Sequence, residues 1–414
     1  MTRSRCWLVV ISIFAICFAT NVWWLSPRGA TPEQLAHGKM LFEHEWTVGD
    51  KLAGEGDGLG PVFNANSCVA CHFQGGVGGG GANQHNVRAF QVVPVRDRKT
   101  VVSGVVHSSA VSDNLLENDA QVTALFPVVP DRPPVGRSSG CITSPSKPRD
   151  FDPVHFDMVN TPALFGVGLI DEISLTKIRL LGAKRSVNAV AASLDGDLSQ
   201  NLAGRLKGRF GWKGQFQTLE EFVAAACAME VGLSNPMKSQ PIPGAQKPDE
   251  AAKLDMDREQ LANLVSFVAN LPAPKQILPE DPTLRQVVID GEEVFARIGC
   301  ADCHVPNLAG VEGLYSDLRL YDITRRDELY GDDDSAFELP SGHPTFDEWK
   351  TPPLWGVADS APYFHDGASP TLEAAIRRHN GAAVDSRKQF TSASDPDRRA
   401  LLEFLKSLRA PKMP

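Results

Sequence analysis

Two short motifs carry the clearest chemistry in this chain of 414 residues. In each of them, two cysteines separated by two residues are followed at once by a histidine, at 68–72 and again at 300–304. This spacing is the attachment signature of a c-type haem. The two thiols add to vinyl groups at one edge of the porphyrin, and the histidine lies under the iron as its proximal ligand. A single motif could be a zinc or disulfide site, but its recurrence favours two covalently attached haems.

Four of the eight cysteines belong to these motifs. The predicted haem-attachment residues are Cys68, Cys71, His72, Cys300, Cys303 and His304. Cys6 and Cys17 lie in an apolar segment at the N-terminus. Cys141 and Cys227 could form a disulfide in an oxidising compartment, but Cys227 lies in an apolar helical run, which is more typical of a buried residue.

The N-terminal segment predicts export. Residues 1–5 are positively charged, and Cys6 to Leu25 is apolar almost throughout. That length lies between a secretory signal and a membrane-spanning helix, so residues 1–29 are predicted to be a cleaved signal peptide or an uncleaved membrane anchor. Both alternatives predict a periplasmic or secreted protein, or one tethered through its N-terminus to the outer face of the inner membrane.

The composition is that of an ordinary soluble globular protein, with 42% hydrophobic and 22% charged residues. The net charge of -9, with no clustered Lys/Arg face, argues against nucleic acid binding. A mildly acidic surface would suit a basic electron-donor protein.

The elements around each motif follow the same order. Gly38 and Phe42 lie on a predicted helix ahead of the first motif, and Gly291 and Phe295 lie on one ahead of the second. Amphipathic helices, predicted at 257–271 and 396–408, close each half. This is the order of a small cytochrome c fold, so we predict a mainly α protein with two cytochrome c-like haem domains.

The predicted N-terminal haem domain spans 30–271, the Pro-rich linker 272–283 and the C-terminal haem domain 284–414. The first domain carries a large insertion, predicted to contain loops and some β-strand. Alternation predicts strands within Phe90 to Val106, and Val128 to Pro153 is predicted to be a loop. The glycine run 75–81 lacks the Lys-Ser/Thr of a phosphate loop, so we interpret it as backbone that turns sharply or passes close to a porphyrin.

Several further segments give the chain a family resemblance. In the C-terminal half, Thr351–Gly356, Ala361–Gly367 and Thr371–Glu373 resemble the C-terminal haem domain of bacterial dihaem cytochrome c peroxidases and of MauG. The N-terminal half resembles a related branch, the dihaem oxidoreductases labelled peroxidase or thiol oxidoreductase-like. Its matching segments, besides the first haem motif, Asn64 and the glycine run, are 56–61, 160–166, 208–213 and 232–236. The resemblance covers most of residues 40 to 408.

The resemblance implies a second axial ligand for the C-terminal haem. In the peroxidases this ligand lies fourteen residues beyond the histidine of a His-Asp-Gly motif, and counting from His365 gives His379. A His304/His379 pair would make that haem low-spin, with a lower reduction potential than the usual methionine ligation gives. The alternative is that His379 is a solvated histidine beside two arginines. His365 itself is predicted to brace the haem edge or to donate a hydrogen bond there.

For the N-terminal haem no partner of His72 is obvious. The available side chains are each more typical of structural residues: His37, His44, His85, His107 and Met158. If none of them binds, the iron keeps the open position that peroxide activation requires. The resemblance implies an acid near this haem at Asp171 or Glu172, which could shuttle a proton, although acids that simply begin a helix are as common.

Two other features concern redox chemistry. Trp212 and Trp355 could lie between or beside the haems and assist electron transfer, although large aromatic residues are more often core. The chain also departs from its relatives at Ser316–Ile323, where they show a histidine and a methionine. A calcium ion between the domains, as in relatives, is left open by the sequence.

The resemblance therefore implies a dihaem c-type oxidoreductase. A small redox protein of the cytochrome c or cupredoxin type would supply electrons to the C-terminal haem, and the N-terminal haem would reduce hydrogen peroxide or a similar small oxidant. The alternatives are a non-catalytic electron-transfer cytochrome and a MauG-like enzyme that oxidises a partner protein. A thiol oxidoreductase gains little support, because no free cysteine pair remains outside the motifs.

Overall fold

The computed structural model describes residues 27–92, 102–116, 118–124, 154–182, 204–241, 253–323, 344 and 347–412. The predicted targeting segment before residue 27, Cys141 and the predicted loop at 128–153 lie outside these residues, so those predictions stand as they were made. Within the described part of the chain, no helix is both long and apolar enough to cross a membrane.

Helix predominates over strand in the described residues. In chain order, helices α1 to α10 are Pro32–Glu43, Cys68–Cys71, Asp119–Ala124, Val167–Asp171, Leu219–Glu230, Arg258–Ala269, Pro282–Arg297, Leu372–Arg378, Val384–Ser392 and Asp395–Ser407. Residues 175–182 are also helical. Short 3-10 turns lie at Pro27–Gly29, Lys51–Ala53, Asn83–His85, Asp113–Leu115, Cys300–Asp302, Val357–Asp359 and Gly381–Ala383.

The strands form small antiparallel sheets. Strands β1 to β7 are Val62–Phe63, Val87–Val92, Val102–Val106, Ser109–Ala110, Val154–Val159, Leu320–Asp322 and Glu348–Lys350. β2 is central in a three-stranded sheet of order β3-β2-β5, while β1 pairs with β4 and β6 with β7. Phe90 of β2 lies opposite both Gly104 and Phe156. The strands predicted between Phe90 and Val106 are thus confirmed at both ends of that stretch.

Side-chain caps fix where the long helices begin. Thr31 and Gln34 form a reciprocal capping box at the start of α1, and Thr218 and Glu221 form one at the start of α5. Each box satisfies backbone N–H groups that the first helical turn leaves without a partner. The caps therefore set the register in which the apolar faces of these helices meet the core.

A close helix crossing organises the N-terminal half. A Cβ on Gly38 of α1 would lie 2.0 Å from the carbonyl oxygen of Asn263 in α6, so only glycine permits this approach. One turn further on, the Phe42 and Phe267 rings lie 5.3 Å apart. Both helices then bury their apolar stripes in the same core.

The C-terminal half repeats this crossing with α7 and α10. A Cβ on Gly291 would lie 2.0 Å from the carbonyl oxygen of Ala400. The Phe295 and Phe404 rings are again 5.3 Å apart. The matched Gly and Phe positions of the sequence therefore occupy matched places in the two helix pairs.

The two halves share apolar packing. Leu308, Leu314, Leu318 and Trp355 of the C-terminal half belong to the same core as the N-terminal helices. A Cβ on Gly166, which has a φ of 70°, would lie 2.4 Å from the Trp355 ring. Trp355 thus lies against the N-terminal half at the start of α4.

Candidate haem sites

The C-terminal motif follows α7 and begins at a left-handed glycine. Gly299, at a φ of 85°, turns the chain out of α7 and into the short helix that carries Cys300. Nδ1 of His304 lies 2.9 Å from the carbonyl oxygen of Tyr315. Because a carbonyl only accepts, Nδ1 carries the proton and Nε2 keeps the lone pair that an iron ion would use.

His379 is held in the same way at the end of α8. Its Nδ1 lies 2.8 Å from the carbonyl oxygen of Ala375, which again leaves the lone pair on Nε2. Burial lowers the pKa of His304 to about 4, and the charge of a protonated His379 contributes to this shift. The two imidazoles are therefore near neighbours, and both are neutral near pH 7.

Both imidazoles and both motif thiols line one cavity of about 270 Å³. Burial raises the pKa of the Cys300 thiol to about 12. Much of the remaining wall is apolar, with Phe295, Leu354 and Ile376 among its residues. An apolar cavity that presents two thiols and two neutral imidazoles fits a covalently attached haem.

His365 lies in the wall of this cavity as part of a stack of three side chains. Its ring is 3.6 Å from that of Trp349 at an interplanar angle of 14°. The ammonium of Lys213 lies 3.5 Å from the centre of the same indole ring. Among the described residues, neither Nδ1 of His365 nor Nε1 of Trp349 has a hydrogen-bond partner.

An ion pair links the His-Asp-Gly loop to α8. Both terminal nitrogens of the Arg378 guanidinium donate to the carboxylate of Asp366, at 2.9 and 2.7 Å. The Phe364 ring packs edge-on against His379, with the ring centres 5.3 Å apart. The loop and the last turn of α8 thereby position His379.

The N-terminal motif forms helix α2, which Ser67 caps by accepting from the N–H of Ala70. Nδ1 of His72 lies 3.0 Å from the carbonyl oxygen of Gly79, as Nδ1 of His304 lies by that of Tyr315, and the backbone of Pro162 also interacts with the His72 imidazole. The glycine run turns sharply here, since a Cβ on Gly79 would lie 1.7 Å from the carbonyl oxygen of Gln74. The predicted sharp turn is therefore confirmed.

The candidate distal ligands of this half have other contacts. A ring nitrogen of His37 pairs with the Asn263 side chain. One of His44 pairs with Asp50, and one of His107 with the carbonyl of Met229. The His85 ring packs against the Phe73 ring, and the sulfur of Met158 contacts the guanidinium of Arg88. Each candidate thus has a contact of its own in the described structure, and for His37, His44 and His107 this contact uses one ring nitrogen.

The two predicted acids also lie in other contacts. Asp171 pairs with Arg209 at 3.1 Å and accepts from the N–H of Leu219, so it caps α5. Burial raises the pKa of Asp171, against the opposing effect of Arg209. Glu172 is half exposed and pairs with Arg28 at 3.0 Å. These contacts favour the structural interpretation of both residues.

A third acid, not singled out in the sequence, lies nearer to the first motif. Glu230 ends α5 and accepts a hydrogen bond of 2.7 Å from Nδ2 of Asn64. Protein encloses the carboxyl, although part of the residue remains accessible, and burial raises its pKa to about 7. Its charge also acts on Cys71, whose pKa is raised to about 11 by burial first and by Glu230 second. A lone acid at the end of an apolar helical run was the available signal.

The cavity of the C-terminal motif extends to the N-terminal half. Trp212 and Trp355 both line it, as the segment 160–163 does. Nε1 of Trp212 donates to the carbonyl of Asn160 at 2.8 Å. Thr161, in turn, accepts from the N–H of Gly81 in the loop of the first motif. A short path of packed residues therefore joins the two motifs.

The segment that departs from the relatives is built into the same wall. The hydroxyl of Tyr321 donates to Asp317 at 2.7 Å, and Tyr321 lines the cavity.

Cys227 is buried in α5, as its apolar surroundings predicted. Its pairing with Cys141 stays a prediction, because Cys141 lies outside the described residues.

Comparison with known proteins identifies the family. Residues 150–408, more than half of the chain, match the family described as "Di-haem oxidoreductase, putative peroxidase". Among solved structures, xenon-pressurised Kuenenia stuttgartiensis hydrazine synthase is 16% identical at a TM-score of 0.36, over 61% of this chain and 73% of that one. A MauG-like protein associated with microbial copper homeostasis is 17% identical at a TM-score of 0.31, over 58% of this chain and 90% of that one. No curated protein sequence is significantly similar. The resemblance in the sequence is confirmed, and the chain belongs to the di-haem oxidoreductase family.

Proposed function

We propose that the chain is an exported dihaem c-type oxidoreductase that passes electrons from a C-terminal to an N-terminal haem and there reduces hydrogen peroxide or a similar small oxidant. When bound, the haems supply one-electron redox chemistry. One observation carries the proposal. His304 has a neighbouring imidazole, His379, on the same cavity, whereas each candidate partner of His72 has a contact with another residue.

The C-terminal half supplies the residues for an electron-accepting site. Cys300 and Cys303 would hold the porphyrin, and His304 and His379 would ligate its iron through Nε2. Hydrogen bonds to backbone carbonyls orient both imidazoles and raise their basicity as ligands. Two histidines favour the oxidised iron more than a histidine and a methionine do, so this site would hold its electron weakly and pass it on.

The N-terminal half supplies the residues for reducing the oxidant. Cys68, Cys71 and His72 would hold the second haem with one axial position open. Reducing hydrogen peroxide to two water molecules takes up two electrons and two protons, so the site needs a proton donor. Glu230 suits this role, because its pKa of about 7 keeps a share of the carboxyl protonated near neutral pH.

The proposal also covers the organisation of the chain. Residues 30–271 and 284–414 would form the two haem domains, with 272–283 as linker, and the matched helix crossings support this division. The donor would be a small cytochrome c or cupredoxin. The described residues contain no group of three or more His, Cys, Asp or Glu side chains that could hold a metal ion.

Electron paramagnetic resonance of the oxidised holoprotein, with and without peroxide, tests the proposal. We expect a high-spin ferric signal beside a low-spin one, and we expect peroxide to consume the high-spin signal. Two low-spin signals that ignore peroxide, in both the oxidised and the half-reduced protein, would overturn the enzyme proposal and favour the electron-carrier alternative.

A further inference from the structure

The stack of Lys213, Trp349 and His365 has a role that the axial ligands do not explain. We infer that this stack binds the propionate carboxylates of the C-terminal haem, with Trp349 and His365 as hydrogen-bond donors and Lys213 as the compensating charge. The inference rests on the proposed function only in assuming that a haem is attached at Cys300 and Cys303. It adds the groups that hold the polar side of that haem.

The first support is a pair of buried nitrogen atoms without partners. Trp349 is 3% exposed and His365 is 8% exposed. Within the described residues, Nε1 of Trp349 and Nδ1 of His365 lack a hydrogen-bond partner. Buried polar groups in native proteins are almost always paired, because an unpaired group loses its water without compensation. Since an indole N–H can only donate, the missing partner of Trp349 must be an acceptor.

The second support is the charge beside these donors. Lys213 is 4% exposed, and its ammonium lies over the ring of Trp349. The imidazole of His365 is stacked on the same ring. Lys350, also buried, lines the same cavity. Acidic residues act on both lysines: Asp157, Asp322, Asp347 and Glu348 on Lys213, and Asp317 on Lys350. The wall therefore offers two buried donors without partners next to two buried lysines, which suits a carboxylate ligand.

The third support is the match between the cavity and the porphyrin. A haem is apolar over most of its surface, and its two propionates are its only anionic groups. The cavity is apolar where Leu354, Leu372 and Ile376 line it and polar at the stack. An amphipathic ligand of this kind satisfies both parts of the wall at once.

The stack is also rigidly built across the two halves. Trp349 of β7 lies opposite Tyr321 of β6, and the carbonyl of His365 accepts from the N–H of Asn160 at 2.7 Å. The N–H of Lys350 donates to the carbonyl of Trp212, next to Lys213. Because Asn160 and Lys213 belong to the N-terminal half, carboxylates bound here would tie the two halves together.

Trp349→Phe tests the inference in the holoprotein, because phenylalanine keeps the stack but removes the N–H. We expect the midpoint potential of the low-spin haem to shift to a more negative value, since a propionate without its donor favours ferric iron. Trp212→Phe is the matched control. Its indole lines the same cavity but already donates to Asn160, so it should leave this potential much closer to that of the wild type.

Lys213→Met gives a second, independent reading if Trp349→Phe does not fold. It should also shift the potential to a more negative value, and Lys213→Arg should restore most of the difference. Potentials unchanged in both Trp349→Phe and Lys213→Met would overturn the inference and leave the stack a packing feature. A Trp349→Phe shift that appears only when acetate is added would mean that the wall binds a free carboxylate, which would also overturn it.

The same samples keep the two proposals apart. Peroxide that still consumes a high-spin signal while the potentials stay unchanged would refute the propionate site and leave the proposed function intact. A shifted potential in a protein that ignores peroxide would refute the peroxide reduction and support the propionate site.

Discussion

The two haem motifs have nearly the same proximal side and very different surroundings beyond it. In each, Nδ1 of the motif histidine pairs with a backbone carbonyl, at 3.0 Å for His72 and 2.9 Å for His304. In each, a phenylalanine of the preceding helix packs near that histidine, with the ring centres of Phe42 and Phe295 at 6.2 and 6.4 Å. Apart from these shared features, one half presents His379 on the cavity of its motif, and the other presents Glu230, whose charge acts on Cys71. The two halves thus repeat one way of holding the motif histidine and differ in the residue that another helix supplies.

The difference follows from which helix ends near each motif. α8 ends at Arg378, which places His379 at its C-cap beside the cavity. α5 ends at Glu230, whose carboxyl accepts from Nδ2 of Asn64. An imidazole can ligate iron, whereas a carboxyl with a pKa of about 7 can hold and release a proton.

Removing the His379 imidazole should have the largest effect on the difference between the two halves. In His379→Ala the C-terminal haem should lose its low-spin signal, because the imidazole next to His304 is removed and His365, the other imidazole on the cavity, is held in its stack on Trp349. Electron paramagnetic resonance of the oxidised protein measures this directly. His44→Ala, which removes a histidine paired with Asp50 in the other half, is the control and should keep the signal. An unchanged low-spin signal in His379→Ala would show that the ligand assignment is wrong.

Neutralising the carboxyl is the next largest change. Glu230→Gln keeps the size of the side chain but removes its proton, so we expect the rate of peroxide reduction to fall by about 10²–10⁴-fold. Steady-state turnover with a reduced small cytochrome measures the effect. Glu172→Gln is the control, because Glu172 pairs with Arg28 at the surface. A larger loss in Glu172→Gln than in Glu230→Gln would return the role to the acid that the family resemblance implied.

The matched helix crossings should respond alike to a methyl group. Gly38→Ala and Gly291→Ala each force a Cβ to within 2.0 Å of a backbone carbonyl, so each should lower the free energy of unfolding by about 3 kcal/mol. Urea unfolding measures both variants. Gly54→Ala controls for the chemistry of the substitution, since no atom lies within 4 Å of its Cβ position, although its φ of 60° adds some strain. A large loss in only one of the two crossings would break the equivalence of the halves.

The smallest expected effect is a pH dependence of stability due to Glu230. Its pKa is raised from 4.5 to about 7 in the folded protein, so the folded state binds more protons between these values. Stability is therefore lost as the pH rises through this window, and the loss is complete above about 7. At pH 8, Glu230→Gln should exceed the wild type in unfolding free energy by roughly 1–3 kcal/mol, and at pH 4.5 the two should be nearly equal. Equal stability at both pH values would mean that the carboxyl is not enclosed in the holoprotein.

The helical frame was readable from the sequence because its signals are local. Gly38 with Phe42 and Gly291 with Phe295 recur at the same helical spacing ahead of each motif, and both pairs lie on helices as predicted; the structure adds that they lie at helix crossings. The glycine run after the first motif predicted a sharp turn for the same reason, since backbone without Cβ atoms is a local property.

The less local features were not predictable in this way. β5 pairs with β2 across more than sixty residues, and a short run such as 154–159 does not name its partner. The predicted acids Asp171 and Glu172 follow the right motif, yet their contacts with Arg209 and Arg28 depend on distant segments. Likewise, the Lys213, Trp349 and His365 stack joins three segments that only the folded chain brings together.

The enclosed thiols bear on how the protein matures. In the folded chain, burial raises the pKa of Cys68 and Cys300 to about 12, so almost none of either thiol is in its reactive thiolate form at neutral pH. Residues of both halves also close the cavity in which Cys300 lies. If the haems are attached at these thiols as proposed, attachment would have to precede the final docking of the halves, and a chain that folded before it was loaded would be a dead end for biogenesis.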